Sequence, residues 1–364
     1  MTHRERFLGC LLGEPVDRPY CMLTWGVWEA TWRRWRQDGL GEEFPDFEAV
    51  RAQFDPDPRP IRLGANCGPC PKRAQQVLHE DDDYVTWVDG WGIQRRNPKA
   101  NESMSQFIEF PVKSRRDWEE YRDRWLDPDR PDRLPDTWRA RAAELTAKGI
   151  PIQIGYYPDV GIFGTVRWLL GDEECLMAFY TDPALVREIM EHMTDLYLTV
   201  WSKMAGEVRV DLIHIWEDMC GRQGPLISPA HWEEFMGPCY RRIKAFAAEH
   251  DIPIISVDTD GKPDLIIPPM MAAGVNYLFP MEVAAGCDVN ELIRRFPTLG
   301  MSGGIDKRAL ARGPAAIDAE LERIRPAMET GRYIPDLDHL VPSDVTYENY
   351  CYYARQLTRL TGKD

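Results

Sequence analysis

The chain has 364 residues, and its 59 acidic against 44 basic residues give a formal net charge of −15. This negative balance argues against nucleic acid or an anionic membrane as the main partner. The N-terminus is charged, the nine cysteines are scattered, and no apolar run approaches the roughly 18 residues that a membrane span needs. We therefore expect a cytoplasmic globular protein with reduced thiols that acts on a small molecule.

Strand and helix signals alternate along most of the chain. The predicted strands are 19–23, 151–157, 211–216, 252–257, 276–279, 298–302 and 332–334. The predicted helices between and after them are 163–171, 182–204, 228–250, 262–273, 288–295, 314–330 and 345–361. Repeated βα units predict a parallel sheet. No glycine fingerprint of an open doubly wound sheet is present, and reactive residues follow many strands, which favours an α/β fold of the (β/α)8 TIM-barrel type.

The stretch 26–150 fits this alternation poorly. It contains a Trp- and Arg-rich helix at 28–37, a hairpin at 84–97 and a helix at 114–145. We interpret it as an insertion after the first strand that covers the barrel mouth, within one domain that spans 1–364.

Carboxylates and one histidine follow the predicted strands at their carboxyl ends. These residues are Glu217, Asp218, Asp258, Asp260, Glu282, Asp306, Asp336, Asp338 and His339. In a barrel such positions converge on one cavity, where crowded carboxylates acquire raised pKa values or recruit a cation. A divalent metal held by carboxylates and one imidazole is therefore one hypothesis. The alternative, which stays open for each acid, is a helix cap or a structural ion pair. His214 lies inside a strand, which predicts a core residue.

Several motifs together resemble the uroporphyrinogen decarboxylase superfamily, which includes decarboxylases and corrinoid-linked methyltransferases. The matching segments are 4–7 (RERF), 13–19 (GEPVDRP), 171–174 (GDEE), 227–229 (ISP), 258–261 (DTDG), 303–306 (GGID) and 338–342 (DHLVP). The resemblance covers nearly the whole chain and implies the same (β/α)8 barrel.

Two departures from the family pattern bear on the substrate. True decarboxylases carry N-terminal arginines that bind the carboxylates of their substrate, whereas the matching segment 21–26 (CMLTWG) has none. Asp218 stands where the family has a substrate-contacting serine, and its charge would repel a polyanionic tetrapyrrole.

In the thiol-activating branch of the family, a His-x-Cys pair binds zinc. Asp258 and Asp260 match that pair in this sequence, so hard ligands replace the thiolate.

The resemblance therefore implies a corrinoid-protein-dependent methyltransferase of the O-demethylase type, with the corrinoid carried by a separate protein. In that case a metal such as zinc, bound at Asp258, Asp260, Glu282 or His339, would act as Lewis acid. The expected catalytic residues are Asp218, Asp260 and Tyr157. The expected substrate-binding residues are Trp25, Tyr156, Glu217 and Asp306. Two alternatives remain open, a metal-free decarboxylase of a tetrapyrrole or small carboxylate and another metal-assisted lyase or hydrolase. A homodimer is also left open.

Overall fold

Seven parallel strands form one curved sheet in the computed structural model, which describes residues 1–99 and 104–363. The strands are, in chain order, β1 (Ile61–Arg62), β2 (Ile152–Ile154), β3 (Leu212–Trp216), β4 (Ile254–Asp258), β5 (Tyr277–Met281), β6 (Gly300–Ile305) and β7 (Tyr333–Leu337). Each strand pairs in parallel with the next one in this order. The sheet therefore confirms the predicted α/β class with a parallel sheet.

Helices connect these strands, as the alternating pattern predicts. The helices are His3–Leu12, Glu29–Gln37, Phe47–Ala52, Arg115–Trp125, Trp138–Ala147, Phe163–Leu170, Asp172–Thr181, Pro183–Ala205, Pro229–His231, Gly237–Glu249, Ile267–Ala272, Val289–Arg295, Lys307–Ala311, Pro314–Met328 and Tyr347–Leu360. The predicted helix 228–250 is continuous, because a π-helical turn at Trp232–Met236 joins two α-helical parts. No helix in the described ranges is both long and apolar enough to cross a membrane.

The predicted first strand, 19–23, is not a strand in the structure, because it has no regular strand hydrogen bonds and Leu23 lies in the left-handed region with φ of 48°. Its side chains nevertheless alternate between two apolar clusters. Tyr20 and Met22 pack on the inner side of the sheet, whereas Cys21 and Leu23 belong to the outer core. This alternation is the one that a strand shows in packing, although the regular pairing of a strand is absent.

The first helix closes the amino ends of the strands. Phe7 and Leu11 of His3–Leu12 are fully buried and pack with Leu212 and Tyr277 inside the curve of the sheet. A capping box at Thr2 fixes where this helix begins. The inner space is therefore filled at one end and left for a cavity at the other.

The structure agrees with the predicted insertion 26–150 only in part. The hairpin at 84–97 is confirmed and belongs to a separate four-stranded antiparallel sheet. The strands of this sheet are Gln76–Glu80, Tyr84–Val88, Gln94–Pro98 and Gln106–Glu109. However, β1 lies within the same stretch and pairs with β2 in the main sheet, so the insertion hypothesis was too broad.

The predicted helix 114–145 is wrong as one element. It is two helices, Arg115–Trp125 and Trp138–Ala147. Between them lie Pro128, Pro131 and Pro135, and a proline inside a helix removes a backbone hydrogen bond and clashes with the preceding turn.

Candidate functional site

A cavity of about 750 Å³ opens where the strands of the main sheet end. Its lining combines acidic, imidazole and aromatic side chains, among them Asp218, Asp258, Asp260, Asp336, His214, His339, Trp25, Trp28, Tyr156, Tyr157, Trp216, Tyr277 and Phe279. The segment that precedes the helix Glu29–Gln37 and the carboxyl ends of the strands thus surround one cavity. A concave, largely aromatic cavity with a few convergent polar groups is the usual form of a small-molecule site.

The two-residue period of the strands explains how these side chains meet. Leu212, His214 and Trp216 alternate along β3, and all three line the cavity. Asp258 is in register with Trp216 on the neighbouring strand and therefore points to the same side.

Asp258 is the last residue of β4, and its side chain is 18% exposed. Its burial, together with the nearby carboxylates of Asp260 and Asp218, raises its pKa well above the ordinary value. The closest titratable nitrogen is Nε2 of His214, which lies 3.8 Å from Oδ2.

Asp260 follows two residues later and is more open, with 40% of its side chain exposed. Burial, followed by the charges of Asp218 and Glu282, raises the pKa of Asp260 to about 7, against an opposing effect of Lys307. A carboxyl group with this pKa carries its proton in a substantial fraction of molecules near neutral pH. The cavity therefore contains a group able to donate a proton.

His339 lies beside this carboxyl group, with Nε2 3.7 Å from Oδ2 of Asp260. Its ring stacks on Trp25 with centroids 4.6 Å apart. Burial and the charge of Lys307 lower the pKa of His339 to about 4, so the imidazole is neutral at neutral pH. Trp25 and His339 thus form a flat, uncharged wall.

Asp218 is held by Arg167, whose Nη1 lies 3.2 Å from Oδ2 of the carboxylate. Arg167 also donates a hydrogen bond to the Asp218 carbonyl oxygen. The backbone of Asp218 is in the left-handed region, with φ of 42°. A non-glycine residue rarely adopts this conformation, and such strain often accompanies functional sites.

The predicted tyrosines lie at the rim. Tyr156 and Tyr157 line the cavity, and Arg62 lies over the Tyr156 ring at 3.7 Å from its centroid. The Tyr157 ring meets Trp216 edge-on at 4.9 Å, and burial raises the pKa of its hydroxyl group. Both side chains add aromatic surface to the opening.

Glu217 does not line the cavity, contrary to its predicted substrate role. It is fully buried and accepts hydrogen bonds from the backbone N–H groups of 162–164 and from the Tyr240 hydroxyl group. Burial raises its pKa to about 7, although these bonds act in the opposite direction. The acid fixes the start of the helix Phe163–Leu170.

Asp306 and Glu282 are also outside the cavity lining. Asp306 caps the helix Lys307–Ala311 and pairs with Arg308 at 2.8 Å, so its predicted contact with substrate is not supported. Glu282 accepts a hydrogen bond from the Gly261 backbone N–H at 3.0 Å. Asp306 thus acts as a helix cap and Glu282 as a structural hydrogen-bond acceptor, which is the alternative to a substrate or metal role.

The four residues expected to bind zinc do not converge. In the described ranges, no three His, Cys, Asp or Glu side chains are grouped so that they could hold a metal ion. Asp258 lies beside His214, Asp260 lies beside His339, and Glu282 is directed to a backbone amide. This arrangement does not fit a tetrahedral zinc site, which takes four ligands at short distances. Zinc stays a prediction without structural support.

Several polar residues of the cavity, among them His214 and Arg59, were not identified as site residues from the sequence. His214 was expected in the core; it is buried, but it also lines the cavity. Arg59, from the loop before β1, lines the cavity too, and its buried Nε has no hydrogen-bond partner within the described ranges. The alternation within β3 was a usable signal for His214, since it lies two residues from Trp216, but no pattern marked Arg59.

The family model for uroporphyrinogen decarboxylase (URO-D) matches residues 165–356, more than half of the chain. The chain belongs to the uroporphyrinogen decarboxylase family. This match includes β3 to β7 and confirms the resemblance seen in the motifs.

A solved structure supports the same fold over a longer range. A methyltransferase from Methanosarcina mazei superposes with a TM-score of 0.61 at 16% sequence identity, covering 98% of each chain. At this identity the likeness concerns the fold alone. No curated protein sequence matches the chain.

Proposed function

We propose that this member of the uroporphyrinogen decarboxylase family is a methyltransferase that demethylates an aromatic methyl ether and transfers the methyl group to a corrinoid on a separate protein. One observation carries the proposal. Asp260, a carboxyl group whose pKa is raised to about 7, lies in a cavity with aromatic walls. Ether cleavage needs a proton donor at the leaving oxygen, and a donor with a pKa near the working pH is the most effective.

The aromatic walls of the cavity favour an aromatic methyl donor. Trp25 and His339 present a stacked pair on one side, and Tyr157 and Trp216 form an edge-to-face pair elsewhere in the lining. Aromatic surfaces bind a substrate ring through apolar burial and offset stacking. A neutral ring avoids the repulsion that an anion would meet from the cavity aspartates.

Asp260 is the proposed acid. When the methyl carbon leaves, the ether oxygen keeps the electron pair of the broken C–O bond and takes the proton from Asp260. The corrinoid, carried by another protein, would supply the nucleophile that accepts the methyl group. Asp260 then regains a proton from water, because its side chain is partly exposed.

Asp218 and Tyr157 have supporting roles in this proposal. The charge of Asp218 helps to raise the pKa of Asp260, while Arg167 holds Asp218 in place. Tyr157 lines the rim and contacts the ring of Trp216. Both residues would orient the donor so that its oxygen reaches Asp260.

Uroporphyrinogen fits this cavity poorly. Arg59 is the one cationic side chain in the described lining, against four aspartates. Two of its nitrogens are occupied by Glu48 and the Leu23 carbonyl group. A substrate with many carboxylates would lose hydration without gaining enough positive partners.

A carboxy-lyase for a small monocarboxylate is the second candidate. Arg59 favours it, because this one cationic side chain of the described lining could pair with a single carboxylate. Asp260 would then protonate the carbon left after CO2 release.

We also infer that the segment 19–23 takes the eighth position of a closed (β/α)8 barrel. Directly after the segment, the Thr24 N–H donates to the side chain of Asp336, which belongs to the edge strand β7, at 2.7 Å. Tyr20 donates to the Pro58 carbonyl oxygen just before β1, at the other edge of the sheet. The segment therefore touches both edges.

The assay that tests the proposed function mixes the protein with a methoxyaromatic and cob(I)alamin. We expect loss of cob(I)alamin absorbance and appearance of the phenol. Asp260→Asn keeps the shape of the side chain and should slow the reaction about 100-fold or more. CO2 release from a small carboxylate, with no transfer from any methyl donor, would contradict the methyltransferase proposal and support the second candidate.

A further inference from the structure

His214 is a buried imidazole that the proposed chemistry does not use. It lies in the middle of β3, and its side chain is 5% exposed. Its neighbour in register on β4 is Ser256, whose Oγ is 3.1 Å from Nδ1 of the imidazole. The position places a polar ring deep inside the cavity.

The hydrogen bonds around Ser256 select the tautomer of His214. The Ser256 hydroxyl group donates its single proton to the Ile213 carbonyl oxygen at 3.2 Å. Its oxygen must therefore accept from Nδ1, which carries the ring proton. Burial and the charge of Arg62 lower the pKa of His214 to about 3, so the ring is neutral and Nε2 has a free lone pair.

Nε2 has no hydrogen-bond donor among the described residues. Its nearest polar contact is Oδ2 of Asp258 at 3.8 Å, which is too long for a hydrogen bond. The rings of Phe279 and Tyr156 lie beside the imidazole, with centroids 5.2 and 6.0 Å away. His214 lines the cavity, so a ligand there that donates to Nε2 gains that hydrogen bond.

We propose that His214 determines substrate specificity by accepting a hydrogen bond from a free hydroxyl group of the methyl donor. This inference rests on the proposed function and names its substrate class, methyl ethers of phenols that keep one free hydroxyl group. The hydroxyl oxygen would lie between Nε2 and Asp258 and could accept a hydrogen bond from the protonated carboxyl group of Asp258.

The two carboxyl groups lie close together in one cavity. Asp258 and Asp260 both line it, and the charge of Asp260 contributes to the raised pKa of Asp258. The hydroxyl group at His214 and Asp258 thus leaves the methoxy group on the side of Asp260. A fully methylated ring would bury Nε2 without a donor.

The test compares the binding of guaiacol, a methoxyphenol, with that of veratrole, in which the same hydroxyl group is methylated. Calorimetry on the wild-type protein should give about tenfold tighter binding of guaiacol, the value of one net hydrogen bond. His214→Phe keeps a flat ring without an acceptor, and it should remove the preference while veratrole binding stays unchanged. Ser302→Ala, which removes a hydroxyl group elsewhere in the lining, is the matched control and should keep the preference.

Equal affinities in the wild-type protein, or a preference that survives His214→Phe, would overturn the proposal. If His214→Phe does not fold, the nitrogen NMR signal of Nε2 in the wild-type protein serves instead. It should shift on addition of guaiacol and not of veratrole, and equal shifts would overturn the proposal as well. Binding needs no methyl transfer, so a preference without transfer contradicts only the proposed function, and transfer without a preference contradicts only the role of His214.

Discussion

Asp260 shows how neighbouring charges set the behaviour of a single side chain. Its carboxyl group lies near Asp218 and Glu282, and burial plus these charges raises its pKa to about 7 from an ordinary 3.8. Between these two values the folded protein binds more protons than the unfolded chain. The contribution of Asp260 to stability is therefore complete below the ordinary pKa and is lost as the pH rises through about 7.

Asp260→Asn should consequently stabilise the protein in a pH-dependent way. The amide cannot ionise, so the variant escapes the repulsion that the carboxylate meets at high pH. We expect its melting temperature to exceed that of the wild-type protein at about pH 8 and to approach it at about pH 5. Thermal unfolding at the two pH values measures this. An equal change at both would show that repulsion is not the cause.

Glu217 shows which kind of residue role could not be predicted from the sequence. The acidic strand ends identified Asp218, Asp258 and Asp260 correctly as cavity residues, since strand ends converge in a parallel sheet. Glu217 follows a strand in the same way, yet it points outward to the start of a helix. The direction of the Glu217 side chain depends on hydrogen-bond partners about 50 residues away in the chain, and no local sequence pattern identifies them.

At the scale of elements, Glu217 connects β3 to the helix Phe163–Leu170. Its carboxyl oxygen lies 2.7 Å from the Phe163 nitrogen and 2.9 Å from the Gly164 nitrogen. Helix N-termini carry unpaired N–H groups, and a buried N-terminus needs an acceptor. Loss of this acid therefore affects an entire element.

Glu217→Ala should lower the free energy of unfolding by at least about 2 kcal/mol, because several buried donors lose their acceptor. Glu217→Gln is the matched control. Its one amide oxygen still accepts, so the loss should be smaller. Urea denaturation gives both values. Equal, small losses in the two variants would mean that water replaces the carboxylate at this helix start.

The segment 19–23 is tied to the rest of the molecule by Asp57. This fully buried carboxylate accepts hydrogen bonds from both terminal nitrogens of Arg18, at 2.7 and 2.6 Å, and from the Cys21 N–H at 3.0 Å. Burial opposes ionisation, but the Arg18 and Cys21 bonds outweigh it and keep the pKa of Asp57 below its ordinary value.

Asp57→Ala should therefore cost about 3 to 5 kcal/mol of stability, since it leaves the mostly buried Arg18 without its partner. In the wild-type protein this contribution is present above the ordinary carboxyl pKa and is lost as the pH falls through the lowered value. Denaturation of both proteins across acidic pH tests this. A difference between them that persists in strong acid would contradict the ionic cause.

Strands and helices were predicted correctly where the local sequence pattern and the packing of the fold agree. The strands β3 to β7 are buried apolar runs that end in polar residues, so both their existence and their order followed from the sequence. The segment 19–23 has the same pattern but lacks regular pairing, which depends on how the edges of the sheet meet. The two helices at Arg115–Trp125 and Trp138–Ala147 were merged because the charged composition obscured three prolines.

At the scale of the whole molecule, charge decides which substrates are compatible. The formal net charge is −15, and the cavity lining adds four aspartates against one arginine. Such a field repels polyanions and tolerates neutral aromatic molecules. We therefore propose that family membership does not extend to the substrate from which the family takes its name.

Uroporphyrinogen should not be consumed by this protein. Chromatography of the porphyrins after oxidation would show the starting compound unchanged. Arg59→Ala, which removes the one cation of the described lining, should make no difference to this result. Stepwise loss of carboxyl groups in the wild-type protein would contradict the electrostatic argument.

The most direct test of the account is the rate of methyl transfer from guaiacol to cob(I)alamin, measured against pH for the wild-type protein and for Asp260→Asn. The wild-type rate should fall as the pH rises through about 7, because the proton on Asp260 is lost. The variant should be slower by about 100-fold or more and should lack this step in its pH profile. A wild-type protein that transfers no methyl group, or a variant that keeps the full rate and the same profile, would contradict the central claim.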